Sequence, residues 1–394
     1  MSDEHRSPPL IPADSLASDA RLARTILASV ACTWLGLFFS IRFIVVRAGG
    51  DALRWDAGWY VEIAKHGYGF AGDILASSTV AFMPAWPLVE AAVFSLGVPS
   101  HIAVPLIAVA CALGGIAMLH DGLTARFGAL RSAAACTLLM AMPFSLYFLN
   151  GYSETLYLLL LGGFFRAIWK QGNLPLAALF AGLATAVRPY GLVLAVIWIV
   201  ELVLQARADG ADAKSIIRRL VAFAPLTLCG FVASSLYFYL RFGDLLLYRN
   251  ILIAWGMDPI ASPGHSLAFD ALTTVRMLAI DLAHPLTPAQ LARVLAWLTP
   301  VALLAAFRRI PLAAALYSLL LFAFIVVTTG GGGNLGRHLS TELVLPLGAI
   351  AWLWPASIAR PSRVRIGAIV LLVTAAAIAQ AEYTILYFRG AWVS

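Results

Sequence analysis

Long apolar runs alternate with short polar stretches along this chain. The runs recur near the ~20 residues that a helix needs to cross a bilayer. The first covers 25–46, and others follow at 80–98, 101–119, 132–149, 155–169, 174–187 and 190–206. Further runs occupy 220–240, 295–307, 311–328, 340–356 and 366–387. The 80–98 run carries Pro84, Trp86 and Pro87, which suit an element lying in the interface better than a straight span. The first run is longer than a signal-peptide core and lacks an A-x-A site after it, so it is read as a retained helix.

Basic residues then set the orientation. They cluster between runs at Arg21/Arg24, Arg126/Arg131, Arg166/Lys170, Lys214/Arg218/Arg219, Arg308/Arg309 and Arg360/Arg363/Arg365. That is the positive-inside pattern. Parity holds if 80–98 stays in the outer interface, giving about eleven crossings with the N-terminus inside and the C-terminus outside. The predicted organisation is a cytoplasmic tail over 1–24 and one transmembrane domain over 25–394. Two long external segments, about 47–100 and 241–294, belong to that domain, and 207–219 is read as a basic cytoplasmic loop.

Composition agrees. The chain is 61% hydrophobic and 12% charged, with a mean hydropathy of +0.87. A soluble domain carries about 25% charged residues, so a soluble or disordered protein is excluded. The net charge of +7 is explained by the cytoplasmic clusters, and nucleic acid is not needed as a partner. The arginine- and alanine-rich composition points to a GC-rich bacterial genome, hence to an inner (plasma) membrane. Cys32, Cys111, Cys136 and Cys229 lie inside apolar runs, and no C-x-x-C, H-E-x-x-H or paired-carboxylate spacing occurs. No cofactor or metal is predicted.

Polar residues in such a chain are informative. In the first external loop, Arg54-Trp55-Asp56 precedes a short helix over 57–66 that Gly67 ends. Asp56 reads either as a helix N-cap or as a carboxylate held at the membrane boundary. Trp55, Trp59 and Tyr60 around it suit stacking on a sugar or anchoring in the interface. Glu154, after Tyr152-Ser153, begins a helix, where an acid offsets the helix dipole or binds an acceptor. Arg188, before Pro189, either snorkels to the headgroups or holds a lipid phosphate. The glycine-rich turn 330–338 lacks a GK[ST] ending, so it is not a nucleotide loop. It ends in Asn334, Arg337 and His338, candidates for phosphate or sugar contacts. Along the second external segment, Asp258, His265, Asp270, Asp281 and His284 are scattered without ligand spacing.

Four motifs fall in order over about 50–195: Trp55-Asp56-Ala57-Gly58-Trp59-Tyr60, Phe82-Met83-Pro84-Ala85-Trp86-Pro87, Tyr152-Ser153-Glu154 and Arg188-Pro189-Tyr190-Gly191. Together they resemble the family of the GPI mannosyltransferase that adds the second mannose, with its bacterial relatives. Met83 departs from the family's usual aromatic residue, and the later half of the chain matches only by hydropathy.

The resemblance implies a GT-C glycosyltransferase: an all-α polytopic bundle with interfacial helices in the first external loop. It implies an inverting transfer of a sugar, mannose first among candidates, from a polyprenyl-phosphate donor to an acceptor hydroxyl on the non-cytoplasmic face. The acceptor is a glycolipid, glycan or protein, membrane lipid surrounds the site, and Asp56 takes the role of base. The competing expectation is a transporter or flippase of a lipid-linked or polar substrate. Such proteins favour repeats and ionisable residues at the midplane, neither of which the sequence displays.

Overall fold

The computed structural model describes residues 13–255, 279, 288–329 and 335–391. The regular structure among the described residues is helical, with no strand among them. Helix α1 spans Ala13–Arg47, α2 Asp56–His66, α3 Ala85–Phe94, α4 Ser100–Phe127 and α5 Ala129–Ala141. Then come α6 Glu154–Phe165, α7 Leu174–Val187, α8 Leu192–Ala208, α9 Ala213–Phe223, α10 Cys229–Phe242 and α11 Leu247–Ile251. The rest are α12 Pro288–Ala306, α13 Leu312–Thr329, α14 Leu335–His338, α15 Val344–Leu353 and α16 Arg363–Phe388.

Five stretches are long and apolar enough to cross a membrane: Ala17–Arg47, Ser100–Phe127, Pro189–Ala208, Ala213–Phe242 and Arg363–Phe388. Shorter apolar helices pack among them. The bundle leaves large apolar side chains open at its surface, with Leu304 84% and Val364 82% exposed. Contiguous apolar surface of this kind is covered by lipid, not water. The chain is therefore an integral, multi-pass membrane protein.

Local chemistry explains where the helices stop. The 132–149 run does not form one helix: α5 ends at Ala141 and the chain continues as a 3-10 stretch, Pro143–Phe148. Pro143 cannot donate to an α-helical ladder and disfavours helical backbone at Met142. The basic stretch read as a loop over 207–219 is helical from Ala213, because Asp212 accepts the Ser215 amide at 2.9 Å and caps α9. α3 has ten residues, a rise of about 15 Å. That is half of a ~30 Å hydrocarbon core, so α3 alone does not cross it.

The most extensive helix–helix contact joins α4 and α6. Two glycines permit it: a Cβ at Gly162 would lie 2.3 Å from the Gly115 carbonyl oxygen. Backbone cannot yield as a side chain does. Gly162→Val is expected to destabilise the fold by about 3 kcal/mol. Thermal unfolding in detergent measures this, with Gly36→Ala as the silent control, since a Cβ there meets nothing within 4 Å.

Candidate active site

α2, α6, the α7–α8 junction and α14 converge at one end of the bundle. Each delivers one charged side chain for a local reason. α7 stops at Val187 because Pro189 disfavours helical backbone at the residue before it. Arg188 is extended there, at φ −150° and ψ 139°. Gly191 then turns the chain so closely that a Cβ would sit 2.5 Å from the Ala184 carbonyl carbon. Glu154 opens α6 after a turn in which Gly151 holds φ +76°, and a Cβ there would meet Val104 at 2.2 Å. The Trp86 indole donates to the Gly151 carbonyl at 3.0 Å and pins α3 onto this turn.

Asp56 is the first residue of α2, and the capping reading is corrected. The position before the helix belongs to Trp55, with no side-chain cap bond. Trp55 holds φ 56° and ψ −128°, the one positive-φ non-glycine residue among those described. Such backbone costs a bulky residue of order 1–3 kcal/mol and persists only where surrounding contacts impose it. Those contacts come from α16 and the 150–154 turn. Tyr387 Oη lies 3.0 Å from the Arg54 carbonyl and 3.1 Å from Tyr152 Oη, and the Tyr152 hydroxyl donates to the same carbonyl at 3.4 Å.

The charged groups form one chain. The Arg337 guanidinium reaches Asp56 Oδ2 at 2.7 Å and Glu154 Oε1 at 2.7 Å. Arg188 Nη2 reaches the same Glu154 oxygen at 2.6 Å. Arg337 also lies over the Tyr152 ring, 4.4 Å from its centroid. Two carboxylates and two guanidiniums thus balance. Burial opposes charge on Arg337, but Asp56 and Glu154 outweigh it and hold its pKa well above the ordinary value. His338 packs its ring 6.1 Å from Tyr190. Burial, reinforced by Arg188 and Arg337, pushes its pKa well below the usual imidazole range. It is neutral at physiological pH and adds no third cation.

Exposure separates the roles. Side-chain exposure is 16% for Asp56 and 12% for Arg188, against 2% for Arg337 and 0% for Glu154. Asp56 and Arg188 are the members of the cluster that open to the surroundings. Glu154 is the buried counter-ion between two arginines. Arg188 does not simply reach for headgroups, since its charge is held inward by Glu154. Five buried polar atoms of this cluster lack a hydrogen-bond partner within the described protein: the donors Arg188 Nε and Arg337 Nη2 (the latter ion-paired with Asp56), Tyr190 Oη, His338 Nδ1, and the acceptor Glu154 Oε2.

Other sequence candidates distribute as follows. The Tyr60 hydroxyl sits 2.9 Å from Ser153 Oγ, and burial raises its pKa. Trp59 stacks on Phe82 at 5.9 Å, inside the loop's own packing. Trp55 is exposed. The Arg54 side chain lies against Gly390, where a Cβ would sit 2.6 Å from its Nη1. Asn334, the 330–333 glycines, and Asp258, His265, Asp270, Asp281 and His284 lie outside the described residues. Among the described residues no cluster of metal-ligating side chains occurs.

Three solved forms of the Archaeoglobus fulgidus oligosaccharyltransferase resemble the chain. The complex with zinc and sulfate aligns at a TM-score of 0.52 with 16% identity, over 91% of this chain and 53% of that one. The fold resembles a GT-C membrane domain. The apo form aligns at 0.47 with 14% identity, and the complex with an inhibitory peptide and a dolichol-phosphate at 0.46 with 14% identity. Each of those two alignments covers 92% of this chain and 56% of the other. The chain thus spans little more than half the length of the proteins it resembles. No protein-family model and no curated protein matches it.

Sequence reasoning missed Tyr387. A signal for it exists: Gln380, Tyr383, Thr384 and Tyr387 follow helical spacing along a mostly apolar helix, and all four are buried. Tyr387→Phe is expected to cost about 1 kcal/mol of stability, the worth of one hydrogen bond, read as a lowered Tm.

Proposed function

We propose that the chain is a membrane-embedded inverting glycosyltransferase, with 25–394 acting as one transmembrane domain of about eleven crossings. In this reading a polyprenyl-phosphate sugar is the donor, and a hydroxyl on the non-cytoplasmic face is the acceptor. The reachable carboxylate of Asp56, fixed at one oxygen by Arg337, removes the acceptor proton as the acceptor oxygen attacks the anomeric carbon. The bond from that carbon to the phosphate oxygen breaks, and the lipid phosphate leaves with the electron pair. A phosphate leaves without a strong acid, so base catalysis and charge stabilisation suffice. The choice of mannose rests on the motif resemblance to the second-mannose GPI mannosyltransferases.

The observation that carries the donor class is the group of unpartnered donor-capable atoms beside Arg188: its Nε, Tyr190 Oη and His338 Nδ1. Buried polar groups are ordinarily satisfied. A guanidinium with a free Nε, beside a phenol and a neutral imidazole, suits phosphate oxygens. The GT-C-like fold supports the same class. The charges sit where α6 begins and α7 ends, not in broken helices at a midplane, which disfavours a transporter.

Binding of polyprenyl phosphate to the purified chain tests this reading. Arg188→Ala is expected to weaken binding about tenfold, the loss of one charge-assisted contact of about 1.4 kcal/mol. The fold survives because Glu154 keeps Arg337. Unchanged affinity in the variant makes Arg188 a structural counter-ion, and no binding by the wild type removes the donor class.

A further inference from the structure

The opposite end of the same bundle carries a second basic site. α6 begins at Glu154, and its π-turn continuation holds Trp169. Fifteen residues at 1.5 Å each separate those two by roughly 22 Å along the axis. α8 likewise starts beside Arg188 and carries Glu201 and Leu204 toward its far end. A cavity of about 450 Å³ opens there, within the size range of small-ligand sites.

Four arginines from two turns border it: Arg126 and Arg131 from the α4–α5 turn, Arg308 and Arg309 from the α12–α13 turn. The cavity's one carboxylate, Glu201, already accepts the Trp169 indole N–H at 2.9 Å. None of the four arginines pairs with a carboxylate among the described residues. Aromatic faces brace two of them: Arg309 lies 3.4 Å over the Trp352 ring and Arg131 5.1 Å over the Phe127 ring. Stacking holds a guanidinium by its face and leaves its N–H edge free for an anion. Four cations against one carboxylate make the cavity strongly positive.

The rest of the wall argues for an amphiphile. Leu204 and Leu312 line the cavity and are 42% and 41% exposed, so the apolar wall continues onto the surface that faces lipid. A soluble anion has no use for that wall, whereas an acyl chain does. The clusters at 126–131 and 308–309 follow the positive-inside pattern, which puts this end in the cytoplasmic leaflet. Basic pockets between spans on that side suit acidic head groups.

We propose that this cavity binds the phosphate head group of an anionic phospholipid, with its acyl chains lying along Leu204 and Leu312. The site stands apart from the Asp56 cluster and does not depend on its chemistry.

The test uses the full chain in nanodiscs of phosphatidylcholine, with and without phosphatidylglycerol, and native mass spectrometry to count retained lipid. The wild type is expected to retain phosphatidylglycerol over phosphatidylcholine. Arg308→Gln with Arg309→Gln is expected to bind it at least about tenfold more weakly. Arg131→Gln alone, from the other turn, lowers retention in the same direction if the double variant does not fold. Arg360→Gln with Arg363→Gln removes basic charge outside the cavity and keeps retention. Equal retention in all variants, or no preference in the wild type, overturns the proposal. Inorganic pyrophosphate protecting the chain from thermal unfolding in phosphatidylcholine alone, as fully as phosphatidylglycerol does, also overturns it in favour of a soluble anion.

Discussion

Asp56→Asn is expected to lower sugar transfer by about 10²–10⁴-fold, the usual worth of a positioned general base, and to leave donor binding intact. The amide has nearly the shape of the carboxylate but cannot accept a proton at this task. Arg337 loses one partner and keeps Glu154 at 2.7 Å, so the rest of the cluster holds. The strained Trp55 backbone is imposed by Tyr152 and Tyr387 through the Arg54 carbonyl, none of which the substitution touches. Initial rates at saturating donor, together with equilibrium binding of polyprenyl phosphate, separate chemistry from binding. A well-expressed variant that transfers within tenfold of the wild type removes Asp56 from the role of base.

Glu154→Gln has the larger expected effect on stability. Its carboxylate is fully buried and is the shared partner of Arg188 and Arg337. Removing the charge leaves two guanidiniums facing each other at the end of the bundle with only Asp56 to offset them. Breaking a buried pair by taking away one partner costs about 3–5 kcal/mol, enough to unfold a marginal protein. A lowered Tm in detergent and a loss of folded yield report it. A second comparison separates stability from chemistry: Glu154→Gln lowers the folded fraction, whereas Asp56→Asn lowers the rate per folded molecule. Wild-type stability in Glu154→Gln would mean that water already satisfies the two arginines.

Much of this was legible in the sequence because each feature was local. Run length gave the elements, and α4, α8 and α16 fall where apolar runs predict them. Pro189 after Arg188 and Gly67 after His66 end helices through their own backbone preferences. The convergence was less legible, because ion pairs form between residues far apart in the chain. Glu154 and Arg337 are 183 positions apart, and no spacing rule reports such a pair. Glu154 read either as an acid offsetting the helix dipole or as an acceptor ligand for that reason: a first-turn acid looks the same whether it faces solvent or two arginines. Asp56 read equally well as a cap because Asp at a helix start normally caps. The structure spends Trp55 on that position, at a positive φ that no composition argument foresees. The α9 helix was hidden by its charge. Lys214, Arg218 and Arg219 break the apolar run, yet Asp212 caps a helix there whose residues are all at least partly exposed.

The most direct measurement supplies the purified full chain, in lipid vesicles, with radiolabelled polyprenyl-phosphate mannose and a membrane-lipid acceptor pool. The expected result is a labelled product whose anomeric configuration is inverted relative to the donor, absent when Asp56→Asn is assayed in parallel. A chain that binds polyprenyl phosphate and moves the labelled donor across the bilayer, yet forms no glycosidic product from mannose, glucose or arabinose donors, would contradict the enzyme and establish a transporter.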